Sequence, residues 1–390
     1  MSETIRTRVA IVGAGPAGLL LSALLHRDGI ESIVIESRSR EEVEQTIRAG
    51  ILEQGTVEVL RDLGDTRVDT VGHRHDGVEL RSEGIGHRID FQGLVGRSVW
   101  LYPQHEVLID LVAKRLADGG DVRFGVHAVD VDSSDPNAPI VRAETADGQT
   151  LEIAADYLIG ADGSRSVVRA AVTGDPFAGY FREYPFAWYG ILCEAPPSSE
   201  ELIYSTTDRG FALISQRSDT VQRMYLQCDP ELDPATWSDD FIWDELQART
   251  GGGLTEGPIF QRDVLRFRSF VAAGLRKGRI LLAGDAAHTV PPTGAKGMNL
   301  AMADIVVMHR AIVEQLTTGS EAGLDAYEST VLDRIWKAQH FSWWMTSMLH
   351  AAPEATPFDE QRRHAELISV ASSQRGAAYL AEAYTGWPLP

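Results

Sequence analysis

Residues 8–36, RVAIVGAGPAGLLLSALLHRDGIESIVIE, leave this chain little freedom in how it begins. RVAIVG (8–13) reads as a strand, residues 15–29 as a helix and SIVIE (32–36) as a second strand, which together make a βαβ unit. GAGPAG (13–18) sits at the first turn with Gly-x-Gly-x-x-Gly spacing. Gly13 permits the tight turn, Gly15 lets the backbone approach a pyrophosphate, and Gly18 lets the helix pack closely on the strand. The helix start adds N–H groups and a partial positive charge. Glu36 closes the second strand, where a carboxylate accepts hydrogen bonds from ribose hydroxyls. The alternative is a glycine turn in an ordinary α/β domain; the setting between strand and helix favours a dinucleotide. The spacing does not recur, so a second dinucleotide has to dock by other means.

The uncharged run 9–25 also raises the question of a membrane span or signal peptide. Gly13, Gly15, Pro16 and Gly18 break a spanning helix, the run is short, and no small-residue cleavage site follows. The chain has 390 residues, 44% hydrophobic and 24% charged, with 56 acidic against 36 basic residues and a net charge of −20. That balance fits a globular protein of two or three domains and argues against nucleic acid or an anionic membrane as partner. An anionic small substrate then needs a local cationic pocket. Two cysteines, Cys193 and Cys228, give no disulfide framework and fit a cytoplasmic location.

Further α/β signals follow at DYLIGADGSRSVVRAAV (156–172) and RILLAGD (279–285), whereas GFALISQRSD (210–219) and QRMYLQC (222–228) read as paired strands. The expected fold is α/β (α+β): a Rossmann-like domain from 1–75, 100–180 and 269–345, an inserted mostly β substrate domain from 76–99 and 181–268, and a helical C-terminal region, 346–390. The aromatic, Met-rich run AQHFSWWMTSMLHA (338–351) reads as core packing or a subunit interface. No metal-ligand cluster is evident in the sequence. GDAAHTVPPTGAKGMN (284–299) is unusual: beyond Asp285, two adjacent prolines and two glycines, Gly294 and Gly297, join a strand to a helix. A stiff, bare connection suits a backbone that lies against a ligand.

Ser215 and Arg217 are two apart on an expected strand and so share a face, with Tyr225 on the facing strand. A guanidinium beside hydroxyls suits a carboxylate. A surface arginine is the alternative reading.

GAGPAG (13–18), ADGSRS (161–166) and the 284–299 turn, in that order, resemble the class A flavin-dependent aromatic hydroxylases. IRAGILEQG (47–55), ELIYSTTDRGFALISQRS (201–218), RIWKAQHFSWWMTSMLH (334–350) and AEAYTGWP (381–388) narrow the resemblance to members acting on 4-hydroxybenzoate, over essentially the whole chain. The resemblance makes the first domain FAD-binding. It assigns the ADP half of FAD to the first motif and Glu36, the ribityl chain to Asp285, and the flavin pyrimidine edge to a helix beginning near Asn299. Gly294 and Gly297 would let the turn lie near the ring. Ala17, Arg48, Gln104, Asp162, Gly297 and Met298 join the FAD contacts; for Arg48 a surface salt bridge is the alternative.

The resemblance also implies that Tyr204 meets the substrate's phenol oxygen, with Pro292 and Thr293 beside the ring. Tyr384 would contact Tyr204, and His75 would link this proton path to solvent. Taken singly, the tyrosines read as packing residues and His75 as a solvated surface side chain. Arg38, Thr46, Arg165, Arg223 and Arg268 fall at positions tied to docking of NADH or NADPH. SRSREEVEQT (37–46) carries Ser37, Glu42 and Thr46 where NADPH users have cationic or phenolic side chains, so NADH is expected to be used well.

The implied activity is ortho hydroxylation of 4-hydroxybenzoate to 3,4-dihydroxybenzoate, with O2 and NADH or NADPH, in a homodimer. The rivals are a hydroxylase of another aromatic acid, such as 4-aminobenzoate or 3-hydroxybenzoate, a flavin dehydrogenase, and a flavin-binding sensor.

Overall fold

A computed structural model describes residues 3–45 and 50–389, so Thr46 and Arg48 lie outside the described residues. The opening unit is the strand Glu3–Val12, the helix Pro16–Arg27 and the strand Ser32–Glu36. All five residues of Ser32–Glu36 are buried, as expected of a parallel strand covered on both faces. Ala17 through Leu25 are buried without a break, because the helix is packed between its sheet and the helices Gln104–Ala117 and Gly297–Thr318.

The first sheet runs 276–277, 280–282, 150–160, 3–12, 32–36, 121–124, and an antiparallel hairpin, Val126–Asp132 and Ile140–Thr145, extends it. Val12 is level with Gly160 and Ile35, and Gly160 with Leu282. Four parallel strands therefore end at one edge, the place where open α/β sheets bind ligands. The last of them stops at Leu282 rather than at Asp285. Gly284 takes a φ of +59° there, and Gly284–Ala286 form a 3₁₀ turn that leaves the sheet.

The second sheet has the order 288–289, 259–272, 179–194, 221–228, 210–218, 202–207, 77–82, 85–90. Its residues alternate between two apolar layers. Trp188, Tyr204, Phe211 and Tyr225 join the layer shared with the helices Ala322–Leu349 and Gln374–Thr385. Tyr189, Ile203, Ile214 and Met224 join the opposite layer with the helix Asp239–Thr250. A small third sheet pairs Ile51–Glu53 and His73–His75 with Val99–Leu101.

The helix Ala322–Leu349 passes unbroken through residue 346, where the C-terminal region was expected to begin; the first proline beyond it is Pro353. This helix buries Phe341, Met345, Met348 and Leu349 while leaving Trp336 and Trp343 exposed. Among the described residues, no helix is long and apolar enough to cross a membrane.

Candidate active site

A cavity of about 870 Å³ opens at the carboxyl ends of the first sheet and reaches the second. The glycines of the first motif differ in what they permit. A Cβ on Gly13, whose φ is +106°, would lie 2.3 Å from the Ala161 carbonyl oxygen, and one on Gly18 would lie 2.0 Å from that of Gly13. A Cβ on Gly15, which lines the cavity, would meet nothing within 4 Å. Two glycines thus allow strand and helix to close up, and the third leaves room for a ligand. Pro16 opens the helix without an N–H, so its first amides belong to Ala17 and Gly18.

Glu36 receives Ala14 N–H at 2.9 Å on Oε2, and Arg38 N–H and Nε at 3.0 and 2.9 Å on Oε1. Burial works against its ionisation, but the Arg38 guanidinium and the two amides outweigh it and hold the carboxyl below its usual range. Arg38, expected to meet the nicotinamide cofactor, therefore sits at the Glu36 end of the cavity. Gln104 opens the helix Gln104–Ala117 at the cavity wall. Asp162 accepts Val167 N–H at 2.7 Å on Oδ2, while its buried Oδ1 has no partner; burial pushes this carboxyl up. Asp285 lines the cavity from the 3₁₀ turn. That turn is anchored by Asp304, whose Oδ2 takes Gly284 N–H at 3.0 Å and meets His288 Nε2 at 2.6 Å.

The second turn divides its duties differently from the sequence reading. Pro292–Gly294 form a 3₁₀ turn, Ala295 takes φ +52°, and the helix starts at Gly297, two residues before Asn299. A Cβ on Gly294 would lie 2.8 Å from Ser342 Oγ and 3.1 Å from Phe341 Cδ1. The crossing helix requires that glycine, not a cofactor ring. A Cβ on Gly297 would meet only Val290, at 4.0 Å, and Gly297 and Met298 line the cavity. The Asn299 side chain is turned away from it: Oδ1 accepts Glu53 N–H at 2.9 Å, and Nδ2 donates to the Ile51 and Ala295 carbonyls at 2.8 and 2.9 Å.

Lys296, missed in the sequence, lines the cavity and is buried. Its Nζ lies 2.6 Å from Glu53 Oε1 and 3.0 Å from the Tyr384 carbonyl oxygen. Burial pulls its pKa down, opposed by the Glu53 charge.

Arginines dominate the opposite wall. Arg217 is half-buried there, its Nε enclosed and without a partner. Burial pulls this guanidinium's pKa down, opposed by the Tyr225 phenol and reinforced by Arg223. Arg223 is buried and pairs with Asp263 at 2.7 Å, while its Nε and Nη1 lack partners. Arg165 and Arg268 line the same cavity and are exposed. Ser215 lies directly across from Arg223, and its hydroxyl donates to the Arg223 carbonyl at 3.0 Å. The ladder is irregular between Gln216 and Ser218, which breaks the simple alternation expected to put Ser215 and Arg217 on one face.

Behind Pro292, the Tyr204 hydroxyl lies 2.6 Å from that of Tyr384 and donates to the Thr293 carbonyl at 3.3 Å. Burial pushes both phenols above the ordinary tyrosine range. Thr293 is buried, its hydroxyl 2.9 Å from that of Thr346. His75 is buried rather than solvated, with a partnerless Nδ1; burial and the neighbouring His73 pull its pKa down to about 4. Elsewhere, Glu83, Asp208 and His364 bring possible ligand atoms within 4.8 Å of one another, with both carboxylates exposed.

Gly15's open face, the unpartnered Asp162 oxygen and the helix start at Pro16 suit a bound dinucleotide, and the unpartnered Nε of Arg217 suits an anion. The family described as FAD binding domain matches residues 6–342. The chain is 43% identical to a p-hydroxybenzoate hydroxylase of Acinetobacter baylyi, over 99% of this chain and 96% of that one. Its fold is similar to that of a p-nitrophenol 4-monooxygenase of Pseudomonas putida, with a TM-score of 0.80, 21% identity and coverage of 98% and 99%. It is also similar to aklavinone-11 hydroxylase solved with FAD and aklavinone, with a TM-score of 0.73, 22% identity and coverage of 90% and 70%.

Proposed function

Because the chain belongs to the FAD binding domain family and is a flavin-dependent aromatic hydroxylase, we propose that it hydroxylates 4-hydroxybenzoate ortho to its phenol, giving 3,4-dihydroxybenzoate. The observation that carries this reading is the pairing of opposite needs in and beside the cavity that Pro292 lines. In the cavity Arg217 is a cation lacking a carboxylate partner among the described residues; beside it is a hydrogen-bonded pair of buried phenols. A para-hydroxylated aromatic acid satisfies both. When bound, FAD takes reducing equivalents from NADH or NADPH and activates O2 for transfer to the ring.

The protein's own residues do the rest. Gly13, Gly15, Ala17, Glu36, Gln104, Asp162, Asp285, Gly297 and Met298 line the cavity and would hold FAD, with Gly18 letting the helix pack close behind them. Arg217 grips the carboxylate and so sets which ring carbon is presented. Tyr204 receives the phenol's hydrogen bond and passes its proton toward Tyr384. Both tyrosines stay neutral, since burial disfavours tyrosinate, so the proton moves by exchange along the O–H chain. His75, buried and held neutral with a partnerless Nδ1, is the proposed next group in the path, able to relay a proton without retaining it. Phenolate formation enriches the ortho carbon in electrons, which favours attack on an electrophilic oxygen.

NADH is the proposed co-substrate of choice. Arg38 is paired with Glu36 and Arg40 with Glu44 at 2.6 Å, so the carboxylates beside both arginines oppose a 2′-phosphate. We place the enzyme in the cytoplasm as a homodimer. Both cysteines are free and buried, and Tyr180, Trp336 and Trp343 expose aromatic surface of the kind that pairs subunits; light scattering tests the assembly.

The decisive test is the flavin absorbance spectrum of the purified protein with and without 4-hydroxybenzoate, followed by coupled oxygen uptake and product identification over a panel of ring acids. A perturbed spectrum with 3,4-dihydroxybenzoate as product supports the reading. Turnover confined to 4-aminobenzoate or 3-hydroxybenzoate overturns it in favour of another acid. NADH oxidation that no ring acid stimulates overturns it in favour of a flavin-binding sensor.

A further inference from the structure

The helix Gln374–Thr385, which carries Tyr384, is fastened at its end by an unusual set of contacts. Gly386 caps it with φ +92° and ψ 147°, a conformation that only glycine adopts readily. A Cβ on Gly386 would lie 2.0 Å from Glu53 Oε2 and 2.4 Å from Glu53 Cδ. The carboxylate therefore occupies the space a side chain would fill. Arg97 Nη1 donates to the Gly386 carbonyl. Arg334 Nη2 reaches Glu53 Oε2 at 3.2 Å, and its Nη1 donates to the Trp387 and Pro388 carbonyls, both at 3.0 Å. Glu53 in turn holds Lys296, whose Nζ donates to the Tyr384 carbonyl. Phe91, six residues before Arg97, stacks on the Tyr384 ring with centroids 5.2 Å apart.

One ammonium thus ties the cavity-lining turn at 295–298 to the backbone of Tyr384, and it is kept in place by a carboxylate that fits only because residue 386 lacks a Cβ. We propose that Arg97 and Gly386 are positioning residues for the proton path. Arg97 clamps the end of the helix, and Gly386 admits Glu53 beneath it, so that Lys296 fixes the Tyr384 phenol at hydrogen-bonding distance from Tyr204. The proposal rests on the reading of Tyr204 and Tyr384 given above. Neither residue touches substrate or FAD in it. What they set is the distance between two hydroxyls, to which proton exchange is steeply sensitive.

The test compares Arg97→Ala, Arg97→Lys, Gly386→Ala and Tyr384→Phe as FAD-loaded enzymes. The phenolate absorbance of bound 4-hydroxybenzoate is followed against pH, beside kcat and KM. For Arg97→Ala, KM is expected to hold while kcat falls about tenfold, the loss of one charge-assisted hydrogen bond expressed as rate. The apparent pKa of the bound phenol should rise. Gly386→Ala should do the same more severely, because it displaces Glu53. Arg97→Lys should restore part of kcat, since an ammonium still donates to the carbonyl. A profile that Tyr384→Phe does not move refutes the proton path itself. If Tyr384→Phe moves the profile and Arg97→Ala does not, the path stands and the positioning proposal falls. Should Gly386→Ala fail to bind FAD, the Arg97 pair decides alone.

Discussion

Removing the Arg217 guanidinium should weaken substrate binding strongly without weakening the free protein. In the free protein this cation is already under-compensated. Its Nε is enclosed without an acceptor, burial pulls its pKa down, and the nearby carboxylate of Asp263 is taken by Arg223. An arriving aromatic carboxylate supplies the missing charge in a site partly closed to water. Truncating one partner of such a pair costs about 2–5 kcal/mol, or roughly 30-fold to several thousandfold in Kd. Arg217→Met keeps much of the side-chain volume while removing the charge. Its Kd for 4-hydroxybenzoate, followed by the change in flavin absorbance, should rise within that range. Phenol, which lacks the carboxylate, should lose at most about tenfold. The thermal midpoint of the ligand-free variant should hold or rise, because a half-buried cation without an anion is a cost that methionine does not carry. Equal losses for both ligands would show that the side chain only shapes the cavity. A sharply lower midpoint would show that Arg217 holds the fold.

Tyr204→Phe should spare 4-hydroxybenzoate binding and lower hydroxylation by roughly a hundredfold in single-turnover measurements, the order of a lost general acid–base group; an unchanged rate removes Tyr204 from the proton path. Steady-state kinetics with each coenzyme should show NADH used at least as well as NADPH, and a strong preference for NADPH would mean that Arg38 and Arg40 escape their carboxylates. His350 accepts the Trp188 indole N–H at 2.7 Å on Nε2 while Nδ1 lies 2.9 Å from the Thr346 carbonyl, so the neutral tautomer with a proton on Nδ1 is built in. Burial pulls its pKa down to about 3. Above pH ~6.5 neither state is protonated and no penalty arises; as pH falls from there toward about 3, the unfolded chain takes up a proton that the folded protein refuses. Stability should drop across that window by on the order of 4 kcal/mol, and His350→Gln, which keeps an acceptor for Trp188, should flatten the slope in denaturant titrations against pH.

Local patterns carried the architecture. The βαβ opening was legible because the strand, the glycine turn and the helix lie within 29 consecutive residues (8–36) and each step has its own backbone signature. The paired strands 210–218 and 221–228 were legible for the same reason. The Gly294 reading went astray because a glycine beside prolines looks alike whether a ligand or a helix crosses it. What crosses is Phe341 and Ser342, nearly fifty residues on, and no local pattern announces that. Ser215 and Arg217 looked equivalent until the ladder slipped between Gln216 and Ser218, where Arg217 is the extra residue against the consecutive partners Gln222 and Val221.

The less legible half of the site is the part built from charges distant in sequence. Glu53 and Lys296 are 243 positions apart, and Arg334 joins them from a third element. Nothing in EQG or AKG marks a carboxylate or ammonium as buried. The one available hint was Lys296 itself, a long cation inside a turn otherwise made of small residues and leading into a buried helix. In such a place a lysine either reaches solvent or finds an anion, and Lys296, buried, finds Glu53. The same reasoning applies to Asp304, one helical turn beyond Leu300 on a helix whose neighbouring positions are buried: a carboxylate there has to satisfy donors from another segment, and it does so at Gly284 and His288. Buried charge flanked by apolar sequence is therefore the signal that finds the groups anchoring the two cavity turns, whereas motif spacing finds the groups that line the cavity or let its turns close up.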